Sequence, residues 1–193
     1  MPSAAGPGVE IPQLLRPWAW LIGVWVGVGT GQYPTIEDFR FGQEVAFATD
    51  GRPFLAYRSR SWLLDDEGNR VRPLAAESGY WRPKEDNRVE VTLAHPTGFA
   101  EIWYGTLEVT GLENATVTGA RVDLRTDVVA RTETAKEYTQ GHRLYGLVDS
   151  RLLWTFDMAA VGVPLVNHLA ASLSRVASGD TGTNDEDPTG AGG

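Results

Sequence analysis

Between residues 13 and 176 the chain reads as one short helix followed by roughly ten short strands, most joined by turns of hairpin length. Gln13–Leu21 places Leu14, Leu15, Trp18 and Leu21 at helical spacing behind Pro12, with Pro17 limiting its extent. Strand segments are predicted at Gly23–Gly29, Glu44–Ala48, Phe54–Leu63, Ala75–Trp81, Val89–Ala94, Phe99–Tyr104, Gly105–Thr110, Ala115–Thr118, Arg121–Arg125, Glu137–Leu144, Arg151–Met158 and Leu165–Val176. Turn signals stand at Asp65-Asp66-Glu67-Gly68-Asn69, Pro83–Asn87, Pro96-Thr97-Gly98 and Asp149-Ser150. Regular short strands of this kind build a sandwich or an up-and-down barrel. Short connections favour sequential antiparallel neighbours, and ten strands enclose more space than the eight-stranded barrels that side chains fill. The expectation is an all-β, antiparallel up-and-down barrel of about ten strands with an internal cavity.

Composition narrows the chemistry. The length of 193 residues suits one domain. Seven Trp, six Phe and six Tyr can line a large core or an aromatic cavity. The absence of cysteine excludes disulfides, Cys-ligated zinc, iron–sulfur clusters, thiolate-ligated haem and cysteine catalysis. The apolar run near Trp18–Val28 is broken by glycine and falls short of the ~20 residues of a membrane helix. The opening MPSAAGPGVE lacks a secretory pattern, so the expected location is cytoplasmic. Residues 1–12 read as a flexible lead-in, residues 13–176 as the barrel, and residues 177–193 as a disordered acidic, glycine-rich tail. The net charge is −8, but Asp180, Asp185, Glu186 and Asp187 of that tail carry half of it. Neither nucleic acid nor a membrane is an expected partner.

In Gly23-Val24-Trp25-Val26-Gly27-Val28-Gly29-Thr30-Gly31 four glycines share one face of a strand with Trp25. A glycine face admits close packing or a sharp bend. No Gly-Lys-Ser/Thr follows, so a phosphate loop is disfavoured.

This stretch resembles the GxWxGxG signature of the nitrobindin family, small haem-binding β-barrels related in shape to fatty-acid-binding proteins; its matching residues are Gly23, Trp25, Gly27 and Gly29. Further segments are similar in order: Gln32-Tyr33-Pro34-Thr35-Ile36, Phe47 with Gly51–Tyr57, and Glu77-Ser78-Gly79-Tyr80. His95-Pro96-Thr97-Gly98 with Glu101-Ile102 and Gly105, Ala135-Lys136-Glu137, and Pro164-Leu165 with His168-Leu169-Ala170 continue the likeness, which covers about Leu14–Val176. Phe41, where Tyr is common in the family, and the loop Asn114–Arg121 depart from it.

Three histidines are available. On its own residues His168 reads as a structural histidine at a half-buried place. The resemblance implies that it ligates haem iron, as the position matching the family's C-terminal histidine. Lys136 is then expected beside a haem propionate and Thr35, with Tyr33, at the cavity mouth. His95 reads as a solvent-facing turn residue, the alternative being a place near the mouth, and His142 as a surface residue. Asp65-Asp66-Glu67 reads as a solvated turn. The tryptophans are expected mostly in the core, with one or two facing the macrocycle.

The resemblance implies one haem b per chain, ferric iron, nitric oxide binding, and isomerisation of peroxynitrite to nitrate at a site centred on His168. The alternatives are a nitric oxide sensor without turnover and a barrel that carries a small apolar ligand. A homodimer through an exposed sheet is a subsidiary expectation.

Overall fold

The computed structural model describes residues 9–177. The parts of the predicted lead-in and tail at residues 1–8 and 178–193 lie outside them. A 3-10 helix spans Gln13–Leu21, the segment predicted as helical. Ten strands follow: β1 Gly23–Tyr33, β2 Ile36–Ala48, β3 Leu55–Leu64, β4 Arg70–Pro83, β5 Arg88–His95, β6 Phe99–Glu113, β7 Thr116–Arg131, β8 Tyr138–Val148, β9 Arg151–Ala160 and β10 Val163–Arg175. Each pairs antiparallel with its neighbour in sequence, and β1 pairs with β10 to close the barrel.

Two predicted breaks do not occur. Phe99–Tyr104 and Gly105–Thr110 are one strand, β6, and Ala115–Thr118 and Arg121–Arg125 merge within the β6–β7 hairpin. The hairpin turns at Asn114-Ala115, both at positive φ (47° and 63°), the geometry that matches strand twist in a two-residue loop. The segment that looked like a loop therefore contributes strand up to Arg121 and beyond.

The barrel has a closed and an open end. At the closed end the helix buries Leu15, Trp18, Trp20 and Leu21. Trp18 meets Trp81 edge-on with ring centroids 6.4 Å apart, and Phe47 meets Trp81 at 5.3 Å. Such edge-to-face pairs contribute beyond the area they bury. The Arg175 guanidinium donates to the Trp20 and Ile22 carbonyls and lies 4.2 Å from the Trp25 ring. Those carbonyls end the helix without intrahelical partners, so the arginine satisfies groups that would otherwise be orphaned. Of the seven tryptophans all but Trp62 are buried, and Trp154 reaches the cavity. Trp62 lies under the Arg70 guanidinium at 3.8 Å. No helix among the described residues is long and apolar enough to cross a membrane.

The glycine face of β1 serves packing. A Cβ on Gly27 would enter the Ser172 carbonyl of β10, and one on Gly31 the Phe39 ring. A Cβ on Gly29 would strike the Phe41 ring and the Ala170 carbonyl. Gly31 and Gly29 lie directly across from Phe39 and Phe41 on β2. The glycines let those two rings lie flat over β1 and wall the open half of the barrel. Gly23 (φ 139°) adopts a backbone that favours glycine and packs against Arg175.

Candidate functional site

A cavity of about 1240 Å³ occupies the open half, larger than the ~300–1,000 Å³ of most ligand pockets. His168, Lys136 and Thr35 all line it, together with Tyr33, Phe39, Phe41, Trp154 and Phe156. Lys136 and Thr35 are exposed at its mouth. The sequence-predicted residues of the glycine motif, Gly23, Trp25, Gly27 and Gly29, are not in its lining. Trp25 instead donates its indole N–H to the Leu21 carbonyl at 2.8 Å in the closed end.

His168 owes its direction to a bulge. On β10, Asn167 pairs with Asp157 and Leu169 pairs with Phe156, so His168 is the extra residue between two registered positions. A bulge of this kind bends the strand and re-aims a side chain. The imidazole meets the rings of Tyr33, Phe39 and Phe156 at 5.3, 6.4 and 6.1 Å. Its Nδ1 lies 2.8 Å from the Gln32 carbonyl oxygen. A carbonyl only accepts, so Nδ1 carries the proton and the Nε2 lone pair is left available. Burial lowers the histidine below its ordinary value of 6.5, partly opposed by the Gln32 bond, so the neutral form is favoured. Tyr33 is locked beside it: its hydroxyl accepts from the Ala160 N–H at 2.9 Å and donates to the Ala160 carbonyl at 3.0 Å.

The same cavity wall carries a charged cluster that sequence reasoning missed. Arg143 is buried and donates both terminal nitrogens to Glu77 at 2.8 Å each. Tyr57 donates to the same carboxylate at 2.5 Å. His95 Nε2 lies 2.8 Å from Glu101, which also accepts from the Trp103 indole at 3.0 Å. His95 Nδ1 lies 3.7 Å from Glu77. The guanidinium stacks 5.0 Å from the Trp103 ring and 4.8 Å from the Phe156 ring. Burial would raise Glu77, but the facing guanidinium outweighs it and holds the carboxyl at about 2. Glu101 is held low in the same way, against burial, by His95 and then Arg143. Burial would lower Arg143, and the Glu77 carboxylate more than reverses this.

This cluster corrects the reading of His95. It is not a solvent-facing turn residue: its side chain is 16% exposed and it lines the cavity. It is the last residue of β5, not part of the turn that follows, and two carboxylates draw it inward. A signal existed in the period-two pattern. Arg143 shares a face with Tyr145 and Leu147, and Glu101 with Phe99 and Trp103, so a charge on each otherwise apolar face marked a buried pair. His142 lies on the outer face but is not the open surface residue expected: its side chain is 12% exposed, because its ring is held between Asp123 and Asp157.

Another polar group joins three strands at the cavity wall. Gln43 accepts from the Trp154 indole at 2.8 Å and donates to Ser59 Oγ at 2.9 Å. Among the described residues no three His, Asp or Glu side chains gather to hold a bare metal ion. With His95 engaged by Glu101, the site instead offers the neutral imidazole of His168 in an aromatic-walled chamber, which suits a flat, apolar macrocycle that brings its own equatorial ligands.

Fold and site together define a closed β-barrel that is blocked at one end and turns His168 into a large aromatic cavity at the other, with His95 held by carboxylates in the same wall. The chain belongs to the family described as the THAP4-like, heme-binding beta-barrel domain, whose model matches residues 14–175. It is 50% identical over 170 residues to a peroxynitrite isomerase of Nocardioides sp., covering 86% of this chain and 98% of that one. It is 43% identical over 182 residues to a ferric nitrobindin-like protein of Kineococcus radiotolerans, covering 86% and 96%. Among solved structures, Rv2717c from M. tuberculosis superimposes with a TM-score of 0.79 at 38% identity, covering 87% of this chain and all of that one. The resemblance to nitrobindins carried by the short motifs is borne out.

Proposed function

We propose that the barrel binds one haem b through His168 and that the ferric protein binds nitric oxide and isomerises peroxynitrite to nitrate. The observation that carries this reading is the bulged His168, whose Nδ1–H is fixed on the Gln32 carbonyl while its Nε2 stays unprotonated in the cavity. Relatives named peroxynitrite isomerase at 46–50% identity support the reaction. A haem held there would supply a ferric Lewis acid for small ligands. The protein's own part is to hold and shield it. His168 offers a neutral nitrogen, and the Gln32 carbonyl increases its basicity. Phe39, Phe41, Trp154 and Phe156 exclude water from the macrocycle. Lys136 at the mouth would be the residue to pair with a propionate, an exposed contact of modest strength, and Thr35 lies at the same rim.

The test is a spectrum and a rate. Haem is titrated into the wild type and His168→Ala, and peroxynitrite decay is followed with each. The expected result is a Soret band and faster decay to nitrate that are both greatly weakened in the variant. A variant that retains both removes His168 from the role. Haem uptake with no acceleration of decay leaves a nitric oxide binder without turnover.

A further inference from the structure

Behind His168 the outer face of the barrel carries an unbroken row of side-chain contacts. Asn167 on β10 donates from Nδ2 to Asp157 Oδ1 on β9 at 3.0 Å. Asp157 Oδ2 lies 3.3 Å from His142 Nδ1 on β8, and His142 Nε2 lies 3.0 Å from Asp123 Oδ1 on β7. Arg121 and Arg125 flank that last carboxylate at 3.6 and 3.8 Å. The row thus crosses four neighbouring strands. Asn167 faces Asp157 in register, and Asp157 faces His142. The first link sits at the paired position immediately before the bulge.

A bulge needs such a marker. Side chains alternate with period two, so moving the extra residue by one position sends a neighbour to the other face. If Asn167 became the extra residue, His168 would take the position opposite Asp157 and face solvent. The Asn167–Asp157 bond forms only when the slip falls at His168. His142 and Asp123 in turn fix the carboxylate that receives it.

We propose that Asn167, Asp157 and His142 are positioning residues that hold the β10 bulge in register, and so keep the His168 imidazole turned into the cavity. The inference rests on His168 being the iron ligand, but it acts on the protein before any haem arrives. The contacts are partly exposed, so each is weak alone. They need only separate two registers that share nearly all their other bonds.

The test uses the full chain. Asn167→Ala removes the donor, Asn167→Asp sets a carboxylate against Asp157, and Asp157→Asn keeps an acceptor for Asn167. The expected result is haem affinity about tenfold lower for Asn167→Asp, at the low end of the ~10–100-fold typical of outer-shell partners. Asn167→Ala falls between, and Asp157→Asn stays near wild type. In the haem-free protein, the His168 Nδ1–H resonance broadens or moves in Asn167→Asp and holds in Asp157→Asn. A double-mutant cycle with His168→Ala separates positioning from general damage. If the row acts through His168, Asn167→Asp weakens residual haem uptake no further once His168 is gone. Additive losses, or a wild-type resonance and affinity in Asn167→Asp, overturn the proposal. Failure of the wild type to take up haem overturns the proposed function instead, while the imidazole resonance still decides the positioning role.

Discussion

His168 donates its Nδ1–H to the Gln32 carbonyl across 2.8 Å, joining the bulge of β10 to the irregular end of β1. That bond dictates which nitrogen can bind a metal, and burial sets how far into acid the nitrogen stays available. Because burial lowers the histidine below its ordinary 6.5, the imidazole stays neutral as pH falls through that value. Haem release on acidification is therefore expected at a midpoint below pH 6.5. A Soret titration from pH 8 to pH 4 checks this, and a midpoint at or above 6.5 contradicts it.

Arg143 is the cation that pairs with Glu77 in the cavity cluster. Replacing it by Met leaves the buried carboxylates of Glu77 and Glu101 without their guanidinium. Breaking a buried pair from one side costs about 3–5 kcal/mol, which for a domain of this size lowers Tm by roughly 10 °C. Adding Glu77→Gln and Glu101→Gln should recover much of the loss. A melt of the triple variant no higher than Arg143→Met would contradict the electrostatic account.

Glu77 also gives the fold a signature in acid. Its folded value of about 2 lies below its ordinary 4.5. The folded state binds fewer protons than the unfolded one between these values, so the contribution is full above about pH 4.5 and lost as pH falls toward 2. Urea midpoints measured from pH 6 to pH 2.5 should drop more steeply for wild type than for Glu77→Gln. Parallel curves would count against the carboxylate.

Gly31 and Phe39 form a lock whose two halves can be separated. Gly31→Ala drives a methyl into the Phe39 ring and should cost about 1–3 kcal/mol by overpacking. Phe39→Ala removes that obstacle, so the double variant should be more stable than the sum of the single losses predicts. Chemical denaturation of the four proteins measures the coupling, and simple additivity would refute it.

Much of the architecture was legible in alternation and turn chemistry. The helix over Gln13–Leu21 and the sequential antiparallel barrel follow from local periodicity, which needs no knowledge of distant partners. The bulge at His168 does not, because it is a relation between β9 and β10 with no local signature in either. Reading His168 as half-buried was as far as its neighbours allowed; its direction comes from the register across the sheet. His95 misled for a related reason. The Pro-Thr-Gly after it marks a turn, yet the two carboxylates that hold it inward stand on other strands. Arg143 was visible as a charge on an apolar face, but its bidentate partner lies 66 residues away.

The Arg175 clamp has a practical corollary. Val176 donates to the Val24 carbonyl, and Val9 and Glu10 lie against Gly51. Both ends of the described chain therefore leave from the plugged base, while among the described residues the entrance is framed by strand tips and their connecting turns. The described chain thus enters and leaves on the far side of the barrel from the cavity. Among the described residues five short connections frame the rim, and remodelling these would retune ligand entry while leaving the base untouched.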